Sequence, residues 1–191
     1  MAPLVAALAA AIDDRLGIPY ALFGHSLGAL VAFELARALR RAGRPEPLRL
    51  FVSASRAPHL PDPAPPLHRA SSASLRAELR RLNGTPDEVL ASEELMSLME
   101  PLLRADFAVN ETYVHAAERP LRCPVTVLGG RDDAEVPHDA LAAWRRHTEG
   151  SFTLRLFPGD HFFIETAERS VLEVIASDLA SFLPGGDGAV R

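Results

Sequence analysis

The sequence predicts an α/β protein, a parallel sheet covered by helices on both faces. Four short, largely apolar runs, at residues 20–23, 48–52, 125–128 and 152–157, have strand length. Strands buried on both faces read this way. Helical stretches with one apolar stripe lie between and after them, and strands alternating with helices imply parallel pairing.

The elements follow in order. Val5, Leu8, Ala9, Ile12 and Leu16 fall at helical spacing, with Asp13, Asp14 and Arg15 on the other face. No Lys or Arg precedes this apolar stretch, so it reads as a packing helix and not as a signal peptide. After the first strand, Leu27, Leu30, Val31, Leu35 and Leu39 share a stripe closed by Arg40, Arg41 and Gly43. Residues 56–121 break the alternation. They open with Pro58, Pro61, Pro63, Pro65 and Pro66, then become helical around Leu75, Leu79 and Leu82 and again from Leu95 through Tyr113. A helical insertion between two strands of a parallel sheet is expected to act as a lid. A later helix runs from His138 to Thr148 around Leu141 and Trp144. The last carries Val171, Val174, Ile175, Leu179 and Phe182 and stops at Pro184-Gly185-Gly186. Residues 1–191 therefore read as a single domain with the 56–121 insertion.

Composition narrows the function classes. A net charge of -5 argues against nucleic-acid binding, which needs a basic face for phosphates. The lone cysteine, Cys123, forms no disulfide framework and no CxxC metal site, and reads as a buried small residue. No apolar run approaches the roughly 20 residues of a membrane helix. A cytoplasmic protein without membrane or nucleic-acid partners is expected.

Gly24-His25-Ser26-Leu27-Gly28 is a GxSxG pentapeptide set between a predicted strand and a predicted helix. In the α/β-hydrolase fold this sequence forms a strained turn that lifts the serine hydroxyl above the sheet. Ser26 needs a base, and the base needs an orienting carboxylate; in this fold the order is Ser, then Asp or Glu, then His, each after a strand. Asp132 and Asp133 follow the third run. Asp133 is preferred because it lies three residues after Gly130 and leads into Val136-Pro137. Of seven histidines, His161 alone follows a strand directly, and is the expected base. His25 should lean away from the Ser26 hydroxyl, His138 and His147 should lie on a surface helix, and His59, His68 and His115 fall in the insertion. The backbone N–H of Leu27 is the expected oxyanion donor.

These residues resemble a known group. Gly24 to Ala29 followed by Ala32-Phe33-Glu34, the stretch Ser53-Ala54-Ser55-Arg56-Ala57-Pro58-His59, Trp144 with His147, and Gly159 to Phe163 are similar to the type II thioesterases of polyketide and nonribosomal peptide synthases. The likeness spans about residues 20–183. It implies an editing hydrolase that removes acyl groups from the phosphopantetheine arm of acyl or peptidyl carrier proteins, with Ser26, Asp133 and His161 as its triad. No cofactor is implied beyond the arm that the substrate carries. A general esterase, a cyclising thioesterase domain and a non-catalytic carrier-binding remnant are the alternatives. Asp160 departs from the family, which has a second glycine there. Arginines on the second helix (Arg37, Arg40, Arg41, Arg44) and in the insertion (Arg76, Arg80, Arg81) are expected to meet acidic carrier helices.

Only 25 residues precede Ser26, room for one helix and one strand. The resemblance implies roughly 60–70 residues before the elbow, including strands and a second oxyanion loop. The sequence thus reads as a partial domain with its N-terminal strands missing, most simply through a start assigned too late, otherwise through truncation or completion by another chain. The nucleophile strand is then expected at a sheet edge.

Overall fold

The structure, a computed structural model, describes residues 1–182. Its elements are α1 (Ala2–Ile12), β1 (Leu22–His25), α2 (Leu27–Arg41), β2 (Leu50–Ser53), α3 (Ser72–Leu82), α4 (Asp87–Ala91), α5 (Glu93–Glu111), β3 (Val125–Gly130), α6 (His138–Ala142), β4 (Phe152–Phe157), α7 (Phe163–Thr166) and α8 (Glu168–Ala180). The expected stop at Pro184-Gly185-Gly186 lies outside the described residues.

Among the described residues the sheet has four parallel strands in the order β1-β2-β3-β4. The α/β expectation is met, and β1 stands at an edge with β2 as its neighbour. The first two strands begin two residues later than their apolar runs suggest. The ladder starts at Leu22 opposite Leu50, and it continues to His25 opposite Ser53. Main-chain bonds still reach back into both runs, from Leu48 N–H to Tyr20 O (2.7 Å) and from Leu22 N–H to Arg49 O (3.1 Å).

β2 and β3 are buried along their whole length, and Leu50, Val52, Val125, Val127 and Leu128 are fully enclosed. This is why they read as largely apolar runs. Helix α2 buries Ala29, Leu30, Phe33, Ala36 and Leu39. Past the sheet's other strands, Ala54, Leu128, Phe157, Phe163 and Val171 form one apolar cluster that joins β3, β4, α7 and α8. Arg49, Thr126 and Asp178 form a polar cluster. The Arg49 guanidinium donates to Thr126 Oγ1 (2.9 Å) and pairs with Asp178 (3.3 Å), while Thr126 donates to Asp178 (2.5 Å).

One arginine expectation is corrected here. Arg37 is buried, and with Arg40 and Arg41 it converges on Glu118; Arg37 also pairs with Glu34. Arg44 pairs with Asp13. Arg37 is therefore not available on a docking face.

The described residues divide into two compact units, one of residues 58–116 and the other of residues 2–57 with residues from 117 on. The first unit holds α3, α4 and α5. Ser71 caps α3, its hydroxyl accepting from Ser74 N–H, and Ser92 caps α5 through Leu95 N–H. Its small core is Leu75, Leu79, Leu90 and Met96. Arg76, Arg80 and Arg81 pair with Glu93, Asp87 and Glu78, all within this unit.

Candidate active site

The site is assembled at the carboxyl ends of the strands, where each loop leaves the sheet. Ser26 sits between β1 and α2 at φ 53, ψ -121, a conformation that costs strain in a non-glycine residue. Two backbone bonds hold it there: Ser26 N–H donates to Ser53 O (2.8 Å), and Ser26 O accepts from Ala29 N–H (3.0 Å). A Cβ on Gly24 would overlap the Gly28 backbone, so the first glycine of the pentapeptide is a steric requirement.

Asp133 lies beyond β3, its side chain wholly enclosed. Oδ1 accepts from the N–H groups of Glu135 (2.8 Å) and Val136 (3.2 Å), which leaves Oδ2 facing His161 Nδ1 at 3.0 Å. Burial on its own pushes this carboxyl up. The hydrogen bond and charge of His161, then the two amides, outweigh it and hold the group below its usual range. Asp132 is exposed, and its N–H donates to Gly159 O (3.0 Å). The carboxylate facing His161 is therefore Asp133.

His161 follows β4 and Gly159, whose φ of +114 suits glycine. Its Nε2 is 3.1 Å from Ser26 Oγ. Asp133, His161 and Ser26 thus form a continuous chain of side-chain contacts, with a bond at each nitrogen of the ring. Asp160 turns away into the loop, where its Oδ1 accepts from Phe162 N–H (2.9 Å). The Leu27 N–H stands at the first position of α2, where no intrahelical acceptor exists, so it is available to a ligand oxygen.

The remaining histidines separate clearly. His147 was expected on the surface but is buried, 5.2 Å from the Phe33 ring and 5.6 Å from Trp144. His68 Nδ1 pairs with Glu111 (2.5 Å). Burial pushes the Cys123 thiol up to about 12, which removes it as a nucleophile. Among the described residues, no group of three or more His, Cys, Asp or Glu side chains stands close enough to hold a metal ion. None of their helices is long and apolar enough to cross a membrane.

The stretch 53–57 supports the site in a way that periodicity does not reveal. Ser53 holds Ser26, Ala54 N–H donates to Leu128 O (2.9 Å), and Arg56 donates to Glu135 O (3.1 Å). Ser55 O accepts from the Trp144 indole (2.7 Å), and Ala57 N–H donates to Ala140 O (3.1 Å). One segment thereby ties the serine turn to the aspartate loop. Its sequence signal was the resemblance of residues 53–59 to a family motif.

A serine on a strand-to-helix turn, with histidine and aspartate on later strand-end loops of a parallel sheet, defines the α/β-hydrolase class of fold. Comparison with known proteins is more specific. A thioesterase domain family model matches residues 1–180. Linear gramicidin dehydrogenase LgrE of Brevibacillus parabrevis is 42% identical over 188 residues, 97% of this chain and 72% of its own. The structure of RedJ, a thioesterase from the prodiginine pathway of Streptomyces coelicolor, superposes with a TM-score of 0.87 at 40% identity, covering 93% of this chain and 70% of that one. YbtT, a type II thioesterase from the yersiniabactin NRPS/PKS pathway, gives a TM-score of 0.84 at 36% identity, covering 92% and 72%. The chain belongs to the thioesterase family.

Proposed function

We propose that the protein is an editing, type II thioesterase that hydrolyses acyl thioesters from the phosphopantetheine arms of acyl or peptidyl carrier proteins in the cytoplasm. The observation that carries the reading is the Asp133–His161–Ser26 chain, with contacts of 3.0 and 3.1 Å, in a member of this family. In the proposed reaction His161 Nε2 accepts the Ser26 proton as Oγ attacks the thioester carbonyl. The Leu27 N–H donates to the developing oxyanion. His161 then returns the proton to the departing thiol, and water, activated by the same ring, cleaves the acyl-serine. Asp133 keeps the ring in the tautomer that leaves Nε2 free to accept.

The name of one relative points to redox chemistry. The β1–α2 turn argues otherwise for this chain, because it carries Gly24-His25-Ser26-Leu27-Gly28 and not the glycine-rich turn that cradles a dinucleotide. The 56–121 insertion takes the role of lid in this proposal. A lid requires that its amide exchange change when the serine is acylated, and unchanged exchange would remove that role.

The test is hydrolysis of acetyl- and propionyl-carrier substrates beside a simple ester. Turnover of the carrier substrates that disappears in Ser26→Ala is expected. Equal efficiency on the ester, or turnover that survives in Ser26→Ala, would sink the proposal.

A further inference from the structure

His25 precedes the nucleophile, and the reaction above gives it nothing to do. Its surroundings are nonetheless specific. Nδ1 lies 2.9 Å from the hydroxyl of Ser53, a residue with no solvent exposure. The same Ser53 accepts the Ser26 N–H through its carbonyl, so it touches both halves of the elbow. On its other side the His25 ring meets the His161 ring edge-on, with centroids 5.3 Å apart and planes at 60°. Phe162 and Phe163 stand at 6.1 Å each. His25 Nε2 is buried with no protein partner.

An enclosed polar nitrogen without a partner costs stability, and an apolar side chain would fill the same space without that cost. What histidine supplies is a flat ring plus one nitrogen that the Ser53 hydroxyl can hold, and the hydroxyl fixes the rotation of that ring. The titratable or charged groups that act on His25 are His161 and Asp133. Burial first, then the charge of His161, lowers its pKa to about 4 against an opposing pull from Asp133. The ring is therefore uncharged near neutral pH and adds no repulsion to a proton on His161.

We propose that His25, oriented by the Ser53 hydroxyl, is a positioning residue for the base: its ring is the wall that sets His161, so that Nε2 stays on Ser26 Oγ. The inference rests on the proposed roles of Ser26 and His161. Without the wall, His161 has rotational room and water reaches its edge. Proton transfer slows while substrate binding is untouched.

The experiment compares kcat, KM and the pH profile of the parent chain with His25→Asn and Ser53→Ala on an acyl-carrier substrate, with Ser26→Ala as control. Asparagine keeps a partner for the Ser53 hydroxyl and removes the ring. His25→Asn is expected to lower kcat about tenfold with KM nearly unchanged. The acid limb of its profile should move to higher pH, because a solvated imidazolium is favoured. Ser53→Ala should move both in the same direction by less. Should His25→Asn fail to fold, Ser53→Ala, which removes one buried hydroxyl, carries the test alone. A parental kcat and acid limb would overturn the proposal, as would a rise in KM at constant kcat, which would make His25 a substrate contact. If Ser26→Ala itself retains turnover, the proposed reaction has failed, and that outcome is distinct from a silent His25→Asn.

Discussion

The strand-end loops and the helical unit of residues 58–116 are held together by different means. At the strand ends, backbone groups do most of the work: Ser26 to Ser53, Ala54 to Leu128, Ala57 to Ala140 and Asp132 to Gly159 are all main-chain bonds between segments remote in sequence. The helical unit relies on side chains. Arg76 with Glu93, Arg81 with Glu78, and Arg104 with Glu100 lie over a core of only a few residues. Main-chain bonds between fully buried strands set atoms within tenths of an ångström, which proton transfer requires. Exposed ion pairs are adaptable and individually weak. The comparison teaches that precision in this protein is written into backbone, and tolerance into surface charge.

Five substitutions would break or sharpen it. The largest effect is expected from Asp133→Asn, which keeps the shape of the loop but favours the wrong tautomer of His161. Hydrolysis should fall about 10⁴-fold. Next, Leu75→Ala in the helical core should cost about 3 kcal/mol, read as lost amide protection across α3 and α5. Gly130→Ala would push a methyl into the backbone at Gly159 and Asp160 and should lower kcat about 100-fold by displacing His161.

A smaller effect concerns pH. The unfolded His25 takes up a proton near its ordinary value of 6.5, while the folded ring resists until about 4. The unfolded state binds more protons in that window, so stability falls as pH drops through it. Denaturant titration at pH 7 and pH 4.5 should show His25→Asn spared about 2 kcal/mol of the loss that the parent suffers. Asp133, held low in the folded state, adds stability that is present at neutral pH and fades in acid, and the difference between the two chains isolates His25 from it. Smallest of all, Arg81→Ala should change stability by less than about 0.5 kcal/mol, since its pairing with Glu78 is on the surface. A loss of several kcal/mol there would contradict the contrast between backbone and surface charge.

Much of this was legible in the sequence where local pattern and chemistry coincide. Buried parallel strands announce themselves as largely apolar runs, as β3 does, and both β3 and the half-buried β4 begin where their runs do. The order of serine, aspartate and histidine after successive strands singled out Ser26, Asp133 and His161, which the structure brings together. Other features depend on partners remote in sequence. The fate of Arg40 is set by Glu118, 78 residues on, and no helical wheel contains that residue. His147 looked exposed because its covering partner, Phe33, lies on another helix. Helix α4 is five residues long, shorter than a window in which periodicity is measurable. The Ser53–His25 contact joins two strand ends that only the sheet register makes adjacent.

Gly130 has a consequence for how the loops can move. The aspartate loop and the histidine loop touch there without an intervening side chain, and the bonds Arg131 N–H to Phe157 O (2.8 Å) and Asp132 N–H to Gly159 O (3.0 Å) fasten them along that contact. Neither loop can drift without carrying the other. Thermal motion that shifts both together preserves the distance from carboxylate to imidazole, while the serine, mounted on a different strand, feels the displacement. Disorder that spreads to this corner on warming should therefore lengthen the histidine–serine gap before it opens the aspartate–histidine one.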